Sequence, residues 1–315
     1  MLQMVNLKKK VQQMDEVEFY LEDLKSKFQK IDPSKYYLAY SGGMDSHLIY
    51  WFLKTWLKEH DEEMFKKYQD IKIVSVNTFM EHPESLKRMR ENSDILLKAY
   101  MKPFDIKEKY GIPCFNKAQD ERIRRYQNGL RSEKSMQFIT RSVPSRFNLN
   151  ETASRLLLSG KLHKVSPLCC KYLKKIPQAN YEKESGRKAI IGIMADEGQT
   201  RKAKYKSCFT KEGNFTPLWD LTKELELKIC EKYNIEILNV YNYIDRTGCM
   251  GCPYGSFRGN TETELLLVSP NQYKFLWKYF KESYEVLGIE KLTEEERQHK
   301  KKQLELKQMT IFDFI

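Results

Sequence analysis

The sequence has no apolar run long enough to cross a membrane, and its first residues lack the apolar core of a signal peptide. Glycine (14 residues of 315) and proline (10) are scarce, which excludes collagen-like and low-complexity chains. Hydrophobic residues make up 41% of the chain and aromatic residues 12%, which is enough to bury a large core. We therefore expect a globular cytoplasmic protein without a membrane partner.

Acidic residues are outnumbered, with 43 Asp and Glu against 55 Lys and Arg, for a net charge of +12. Residues 257–315 hold equal numbers of both signs, so the excess lies in residues 1–256. It is greatest in the stretches 86–146 and 161–211. This distribution predicts an anionic ligand, either nucleotide phosphates or a nucleic-acid backbone or both, while a generally basic soluble surface is the alternative.

A disulfide framework is not expected for the seven cysteines of a cytoplasmic chain. Four of them form two pairs, the adjacent Cys169 and Cys170 and the CxxC pair Cys249 and Cys252. Two thiolates from each pair complete a four-cysteine site, which suits a [4Fe–4S] cluster or a tetrahedral zinc ion. Adjacent cysteines diverge, which favours the cluster over zinc; thiols without any metal are the remaining alternative. The other three cysteines are assigned to packing: Cys114, Cys208 and Cys230.

The hydrophobic pattern predicts an α/β fold, a parallel twisted sheet with helices on both faces. Strands are expected at 36–40, 71–77 and 188–194, with helical or irregular segments between them. Three parts of the chain follow from this pattern: an amphipathic N-terminal helix at 1–30, a nucleotide-binding domain with the four-cysteine site at 31–256, and a charged helical extension with an apolar tail at 257–315.

A short loop, Ser41-Gly42-Gly43-Met44-Asp45-Ser46, directly follows the first strand and precedes a long helical pattern. Its two glycines allow a tight turn with exposed N–H groups, and a helix N-terminus attracts anions. A Mg²⁺ ion between Asp45 and phosphate oxygens accounts for the carboxylate. The Walker-type loop is excluded because no Gly-Lys-Ser/Thr occurs here, and the dinucleotide fingerprint is excluded as well.

This loop resembles the SGGxDS loop of the PP-loop ATP pyrophosphatases, which have the adenine nucleotide α-hydrolase-like fold. The resemblance implies that residues 41–46 bind the β- and γ-phosphates of ATP while a nucleophile attacks the α-phosphorus. Pyrophosphate is then released, and an adenylylated intermediate remains. An ordinary strand-to-helix turn is the alternative.

Several further segments resemble the phosphoadenosine-phosphosulfate (PAPS) reductase branch of that family. Asn77-Thr78-Phe79-Met80-Glu81-His82-Pro83-Glu84 is similar to DTGxExPE, and residues 192–201 are similar to GxRxxES..R, with Met194 in place of the first Arg. The resemblance implies nucleotide contacts from Asn77 and Thr78 and substrate contacts from Glu197 and Arg201, which join Asp45 as candidate catalytic residues.

The cysteine motifs resemble the iron–sulfur subset of the branch, close to its DNA-phosphorothioation and phage-type members. Residues 246–253 match RxGCxxCP, and residues 169–175 are similar to CCxxRK. Lys171, Lys174 and Lys175 are expected near the cluster, where they offset its charge. Because four cysteine ligands leave no open iron, the cluster is expected to be structural, redox-sensing or electron-transferring.

Sulfonucleotide reductases of this branch use a cysteine near the C-terminus, but the last cysteine here is Cys252. Reduction of PAPS or adenosine phosphosulfate (APS) is therefore the alternative, and it requires Cys114 or Cys208 as the nucleophile. The favoured activity is ATP cleavage for sulfur transfer to a nucleic acid, tRNA or DNA, with a cysteine desulfurase as the sulfur source. No general base is identified, since His82 is expected to be a satisfied surface or core histidine.

The C-terminal segment Gln308–Phe312 (QMTIF) resembles the short peptides that bind the sliding clamp. If it does so, the chain is a nucleic-acid-associated binding protein whose nucleotide site is regulatory. An amphipathic end that folds back on the core explains the same residues.

Overall fold

The structure is a computed structural model that describes residues 15–195 and 199–312. The chain divides into two compact units. The sheet unit runs through Val76 and also takes Pro83–Leu97 and Gln178–Leu238. The cysteine unit takes Asn77–His82, Lys98–Pro177 and the chain from Asn239 onward. The predicted boundaries near residues 30 and 256 remain predictions.

A four-stranded sheet forms the centre of the sheet unit, in the order β3-β2-β1-β4. The strands are β1 (Tyr36–Ala39), β2 (Lys72–Asn77), β3 (Ile95–Lys98) and β4 (Lys188–Ile190). Strand β1 pairs in parallel with both β2 and β4, with Leu38 opposite Ile73 on one side and Ile190 on the other. Helices surround this sheet, so the predicted α/β fold with a parallel sheet is confirmed.

The described sheet differs from the predicted one at two places. Strand β3 was not predicted because it has only four residues and alternates between half-buried and exposed positions at the sheet edge. The strand expected at 188–194 ends at Ile190. Beyond it the backbone still pairs, since Ile191 N–H donates to the Phe215 carbonyl oxygen at 2.8 Å, but no regular strand continues.

Fifteen α-helices are assigned within the described residues. In chain order they are α1 (Glu16–Phe28), α2 (Met44–Trp51), α3 (Leu57–His60), α4 (Glu62–Tyr68), α5 (Pro83–Asn92), α6 (Pro103–Tyr110), α7 (Lys117–Gln127), α8 (Glu133–Thr140), α9 (Glu151–Leu158), α10 (Ile176–Ser185), α11 (Gln199–Lys204), α12 (Lys223–Lys232), α13 (Asn260–Leu267), α14 (Pro270–Leu287) and α15 (Glu294–Phe312). Two π-helical turns, Phe52–Trp56 and Lys171–Lys175, and three 3-10 turns, Pro33–Lys35, Asn239–Asn242 and Pro253–Arg258, interrupt or connect them. No helix in the part of the chain that the structure describes is long and apolar enough to cross a membrane.

Helix α1 is the described part of the predicted N-terminal helix; residues 1–14 of that prediction lie outside the described residues. Asp15 caps it by accepting the N–H of Glu18 at 2.9 Å. Its apolar positions recur at three- and four-residue steps, which buries one side of the helix. Buried Lys27 at its end donates to both oxygens of Asp220 at 2.6 and 2.7 Å, so a charge pair fixes α1 within the sheet unit.

Helix α14 carries the core of the cysteine unit. Ser269 and Gln272 form a capping box at its start, and Gly288 ends it in the left-handed conformation. Its buried face consists of Tyr273, Leu276, Trp277, Tyr279, Phe280, Ser283 and Tyr284. The expected clamp-binding segment Gln308–Phe312 falls at the end of α15, and the side chains beyond Gln308 lie outside the described residues.

Arg297 on α15 joins that helix to the core. Only 1% of the residue is exposed, and its guanidinium donates to the carbonyl oxygens of Leu265 and Val268 and to Glu294. The guanidinium carbon also lies 4.3 Å from the centre of the Tyr273 ring. A single buried cation therefore satisfies the carbonyl groups at the end of α13.

Replacing Arg297 with Met is expected to lower the free energy of unfolding of the cysteine unit by about 3 kcal/mol, because two buried carbonyl groups lose their donors. Lys301→Met is the matched control, since Lys301 forms only a surface pair with Glu305 at 3.8 Å and should change stability by less than about 1 kcal/mol. Urea unfolding followed by tryptophan fluorescence measures both. Equal losses in the two variants would contradict the role given to Arg297.

Candidate functional site

The loop at residues 41–46 connects β1 to α2 in the sheet unit, as predicted. Gly42 has a φ of +71°, and a Cβ atom there would lie 2.6 Å from the Ser85 carbonyl oxygen. Position 42 therefore requires glycine for two reasons: the turn is left-handed, and α5 approaches the backbone closely. Gly43, which has no side chain to serve as a cap, is the N-cap of α2.

The two serines of the loop hydrogen-bond within it. Ser46 Oγ donates to the Gly43 carbonyl oxygen at 3.1 Å and lies 3.1 Å from Ser41 Oγ. Ser41 N–H donates to Ser46 Oγ at 3.2 Å, and Gly43 N–H donates to Ser41 Oγ at 3.4 Å. Two loop amides therefore have neutral, long hydrogen bonds to hydroxyl groups. Ser41 is exposed, whereas Gly42, Gly43, Met44 and Ser46 are buried.

The chain after β4 passes directly over the first turn of α2. A Cβ atom at Gly192 would lie 2.9 Å from the Asp45 carbonyl carbon and from the Ser46 nitrogen. The side chain of Asp45 is half-buried. Met194, at the position of the family's first arginine, is a core residue with 2% exposure. Within the sheet unit, the segment predicted to contact substrate therefore starts beside the predicted phosphate loop.

Of the two residues in that segment that were predicted to contact substrate, the structure describes only one. Glu197 lies outside the described residues. Arg201 lies in α11 with its side chain half-buried. Their predicted substrate contacts therefore remain predictions.

Two cations beside the loop were not predicted from the sequence. Lys223 Nζ lies 3.1 Å from Met44 Sδ and pairs with buried Glu226 at 2.7 Å. Arg88 on α5 is 4% exposed and donates to the backbone oxygen of Glu236 at 2.8 Å and to its carboxylate at 2.9 Å. Arg88 Nη1 is buried and has no hydrogen-bond partner within the described residues. No local motif marks either residue, because their neighbours are far away in the sequence.

His47, next to the loop, is held neutral. Burial, together with the charge of Arg88, lowers its pKa to about 4. Its Nδ1 lies 2.9 Å from the hydroxyl of Tyr40, which also accepts a hydrogen bond from Asn92 at 3.3 Å. Tyr40 before the loop and His47 after it are therefore joined by a partly buried polar network that carries no charge of its own.

The segment Asn77–His82 belongs to the cysteine unit and forms a turn that satisfies its own polar groups. Asn77 Oδ1 accepts the N–H of Phe79 at 2.9 Å, and Glu81 accepts both the N–H and the hydroxyl of Thr78 at 3.0 and 2.5 Å. Phe79 takes a left-handed φ of +67° and is exposed. The nucleotide contacts predicted for Asn77 and Thr78 remain predictions.

His82 at the end of this turn is a satisfied core histidine. It is buried, and its Nε2 lies 3.0 Å from Oε1 of buried Glu264. The other oxygen of Glu264 accepts the N–H of Gly251 at 2.7 Å. His82 therefore supports the CxxC turn through Glu264.

Cys169 and Cys170 begin a helical segment whose first full turn is π-helical, Lys171–Lys175. Ile176 N–H donates to the Lys171 carbonyl oxygen across this wide turn. Pro177 provides a reason for it, because proline has no N–H and its ring would clash with the Leu173 carbonyl in a regular α-helix.

The CxxC turn at Cys249–Cys252 is fixed by hydrogen bonds to its backbone. Met250 N–H donates to the Met80 carbonyl oxygen at 2.7 Å, and the hydroxyl of Thr261 donates to the Cys252 carbonyl oxygen at 2.7 Å. Gly251 has a φ of +59°, and a Cβ atom there would lie 2.6 Å from the Tyr284 hydroxyl oxygen. The cysteine unit thus holds this turn from several elements.

The four thiols influence one another's protonation. The hydrogen bond between Cys169 and Cys170 raises the pKa of Cys169 and lowers that of Cys170. Burial raises the pKa of Cys249 and of Cys252, and for Cys252 the charge of Cys249 adds to the effect. The two cysteine pairs, which are distant in the sequence, therefore belong to one electrostatic group.

Lysine side chains lie near the four thiols, and Lys174 and Lys175 among them were predicted to do so. The charges of Lys117, Lys174 and Lys175 favour the Cys170 thiolate. The charge of Cys249 raises the pKa of Lys174. The ammonium group of Lys171 lies 5.8 Å from the centre of the Tyr172 ring, and its side chain is exposed, so its position near a cluster stays a prediction.

A compact metal site is absent from the part of the chain that the structure describes, since no three His, Cys, Asp or Glu side chains there are arranged to hold an ion. Of the three cysteines assigned to packing, Cys114 and Cys230 are buried and Cys208 is half-buried. Burial raises the pKa of Cys114 and raises that of Cys230 to about 12.

Asp120 is a fully buried carboxylate in the cysteine unit that sequence reasoning missed. It accepts the N–H groups of Cys114 and Phe115 at 2.8 and 3.0 Å and the hydroxyl of Tyr254 at 2.8 Å. Burial raises its pKa to about 6, despite these donors. Asp120 thereby connects α7 to the segment that follows Cys252.

Comparisons with known proteins leave the family open. No family model matches the chain, and no curated protein matches it either. Among solved structures, the phosphate complex of phosphoadenylyl-sulfate (PAPS) reductase from Candida auris is similar over 69% of this chain and 87% of that one, with 10% sequence identity and a TM-score of 0.32. A likeness of this size carries no argument about function, which therefore rests on the residues described above.

The pKa of Asp120 predicts a pH dependence of stability. Its pKa is raised from 3.8 to about 6 by folding, so its contribution to stability is complete below pH 3.8 and is lost as the pH rises through 6. The loss amounts to about 3 kcal/mol. Urea unfolding between pH 4 and 7 should show this decline in the wild-type chain and not in Asp120→Asn. The variant should be less stable overall, because the NH2 group of its amide would face an N–H donor. Parallel pH profiles for the two chains would refute the assignment.

Proposed function

We propose that the chain is a PP-loop ATP pyrophosphatase that cleaves ATP at the α-phosphate for sulfur transfer to a nucleic acid. One observation carries the proposal: between β1 and α2, Gly42 turns with φ +71° against the Ser85 carbonyl oxygen, and Gly43 begins the helix that follows as its N-cap. An anion at this helix start would meet N–H groups and the positive end of the helix dipole.

The hydrogen bonds that the loop amides donate to serine hydroxyls are suited to replacement by hydrogen bonds to a phosphate. The amides of Ser41 and Gly43 donate to neutral hydroxyls at 3.2 and 3.4 Å. Phosphate oxygens are charged acceptors, which form shorter and stronger hydrogen bonds with the same donors. The freed hydroxyls of Ser41 and Ser46 would then donate to phosphate as well. Residues 41–46, including Met44, would in this way bind the β- and γ-phosphates.

Charge near the loop supports the same ligand. Asp45 in the first turn of α2 is the residue that would hold Mg²⁺, which would offset the negative charge between carboxylate and phosphate. Lys223 Nζ beside Met44 brings a cation to the loop position that the family varies. Asn77 and Thr78 are proposed as nucleotide contacts, and Glu197 and Arg201 as substrate contacts.

The proposed reaction transfers the adenylyl group. A nucleophilic oxygen of the acceptor forms a bond to the α-phosphorus, and the bond from this phosphorus to the bridging oxygen breaks. Pyrophosphate leaves with the bonding electron pair. The acceptor is tRNA or DNA. The outer sulfur of the persulfide on a cysteine desulfurase then bonds to the adenylylated position and displaces AMP. A dithiol reductant supplies the two electrons that cleave the remaining sulfur–sulfur bond and release the thiolated acceptor.

The four cysteines are proposed to hold a [4Fe–4S] cluster. Their thiols form one electrostatic group, in which neighbouring charges and burial alter every pKa. A tetrahedral zinc ion, which requires all four sulfurs about 2.3 Å from one point, is the alternative. A cluster spreads its four iron corners and would supply a redox-active or structural centre.

Sulfonucleotide reduction is disfavoured by the remaining thiols. The attack requires an accessible thiolate, but Cys114 is fully buried and burial raises its pKa. Cys208 is half-buried and is the last candidate for this role. Formation of adenosine 3′,5′-bisphosphate from PAPS would nevertheless establish the reductase activity.

Gly42→Ala should abolish ATP-dependent pyrophosphate release, because the new Cβ atom would meet the Ser85 carbonyl oxygen. Gly186→Ala is the matched control: Gly186 also has a left-handed φ, +69°, but a Cβ atom there meets nothing within 4 Å. Asp45→Asn should lower kcat/KM by about 100-fold or more while leaving the fold intact. Release of pyrophosphate from ATP is measured with tRNA and with DNA as acceptors. Equal activity of the Gly42 and Gly186 variants would exclude the loop as the site.

Anaerobic purification should yield about four iron and four sulfide per chain. Cys252→Ser should lose most of this iron, whereas Cys230→Ser, at another buried thiol, should keep it. Iron and sulfide analysis with absorption spectroscopy measures both. Zinc in place of iron, or an undiminished iron content in Cys252→Ser, would contradict the cluster.

A further inference from the structure

A cationic pocket lies in the cysteine unit, apart from the residues assigned above to ATP. Its volume is about 460 Å³, and its polar lining consists mainly of Lys109, Tyr110, Arg124, Lys164, Lys171 and Tyr172. These residues come from the two stretches of the sequence that hold most of the excess positive charge. The pocket therefore brings together positive charges that are separate from the residues assigned to ATP.

No carboxylate lines this pocket. Arg124 donates to Glu121, outside the lining, at 2.8 Å. Lys109, Lys164 and Lys171 are exposed, and none forms an ion pair within the described residues. A site with four cations and no lining anion attracts a polyanion.

Three tyrosines form a ladder at the same place. The rings of Tyr110 and Tyr172 are stacked, with centroids 4.6 Å apart and planes 12° apart, and Tyr100 is stacked on Tyr172 at 6.3 Å and 30°. Tyr100 is 61% exposed, so the ladder ends in an open aromatic face. Aromatic faces of this kind bind unstacked bases regardless of their identity.

The backbone of the cysteine unit holds these side chains together. Gly111 has a φ of +90°, and a Cβ atom there would lie 2.1 Å from the Lys164 carbonyl oxygen. This same oxygen accepts the N–H of Ile112 at 3.1 Å, and Tyr100 N–H donates to the Tyr172 carbonyl oxygen at 3.1 Å. The pocket is therefore built by long-range backbone contacts, and glycine is required for one of them.

We propose that this cationic pocket binds a single-stranded segment of nucleic acid, with phosphates on the lysines and Arg124 and a base on Tyr100. Acidic peptides and anionic lipid surfaces would use the charges but not the aromatic ladder. Lys171 and Tyr172 directly follow Cys170, so the strand would pass beside the cysteine group. The inference rests on the proposed function for the nucleic-acid acceptor and adds where that acceptor docks.

Binding is measured by fluorescence anisotropy with a labelled single strand of about twelve nucleotides, without ATP or Mg²⁺. Four phosphate contacts predict that log Kd depends on log salt concentration with a slope of about 3. The double variant Lys109→Glu/Lys164→Glu should weaken binding at least tenfold and reduce this slope by about 1.4. The matched control, Lys35→Glu/Lys66→Glu, reverses two exposed charges that do not line the pocket and should bind within twofold of the wild-type chain.

The aromatic ladder is tested separately. Tyr100→Leu should weaken binding of the strand about tenfold, whereas Tyr100→Phe should preserve it. An abasic strand of the same length should bind the wild-type chain more weakly and show no difference between these variants. Lys109→Gln/Lys164→Gln replaces the charge reversal if that variant unfolds.

Three results would overturn the inference. They are equal binding of Tyr100→Leu and Tyr100→Phe, equal binding of the base-containing and abasic strands, and stronger binding of anionic vesicles or poly-glutamate than of the strand. Pyrophosphate release is recorded in parallel. Release without strand binding would refute only the docking site, and strand binding without release from ATP would refute only the proposed enzyme.

Discussion

The contact between the backbone at Gly42 and the Ser85 carbonyl oxygen governs the architecture of the candidate ATP site. A side chain at residue 42 would force α5 away from the loop, because the space for a Cβ atom is filled. On the other side, Gly192 lets the chain after β4 approach the first turn of α2 equally closely. The loop is thus packed against two other segments through glycine contacts, and Gly43 begins α2 as its N-cap. Both the proposed phosphate site and the cations beside it depend on this close packing.

The cysteine unit follows a different principle, in which buried polar groups are held in fixed places by long-range hydrogen bonds. Glu264 connects His82 to the N–H of Gly251, and Asp120 connects the start of α7 to Tyr254. Such networks are stabilising only when every member is satisfied. They explain why the turns around the cysteines are defined although the thiols themselves form no compact ion site.

Local sequence patterns predicted the features that depend on neighbours in the chain. The strand, the double glycine and the helix that follows predicted the loop at residues 41–46. A short buried apolar run predicted β1, and alternation predicted β2. Strand β3 has no buried position and was missed, and β4 ended earlier than its apolar run. Lys223 and Arg88 escaped prediction because their partners, Met44 and Glu236, lie 179 and 148 positions away. The tyrosine ladder was missed for the same reason.

Both units are assembled from segments that alternate along the chain. The central strand β1 needs β4 as its partner, and β4 is synthesised about 150 residues later. A ribosome must therefore synthesise the first 190 of the 315 residues before the sheet is complete. Until then, the early strands have an unpaired edge that is prone to aggregation. Slow, chaperone-assisted maturation is the natural consequence of this interleaved order.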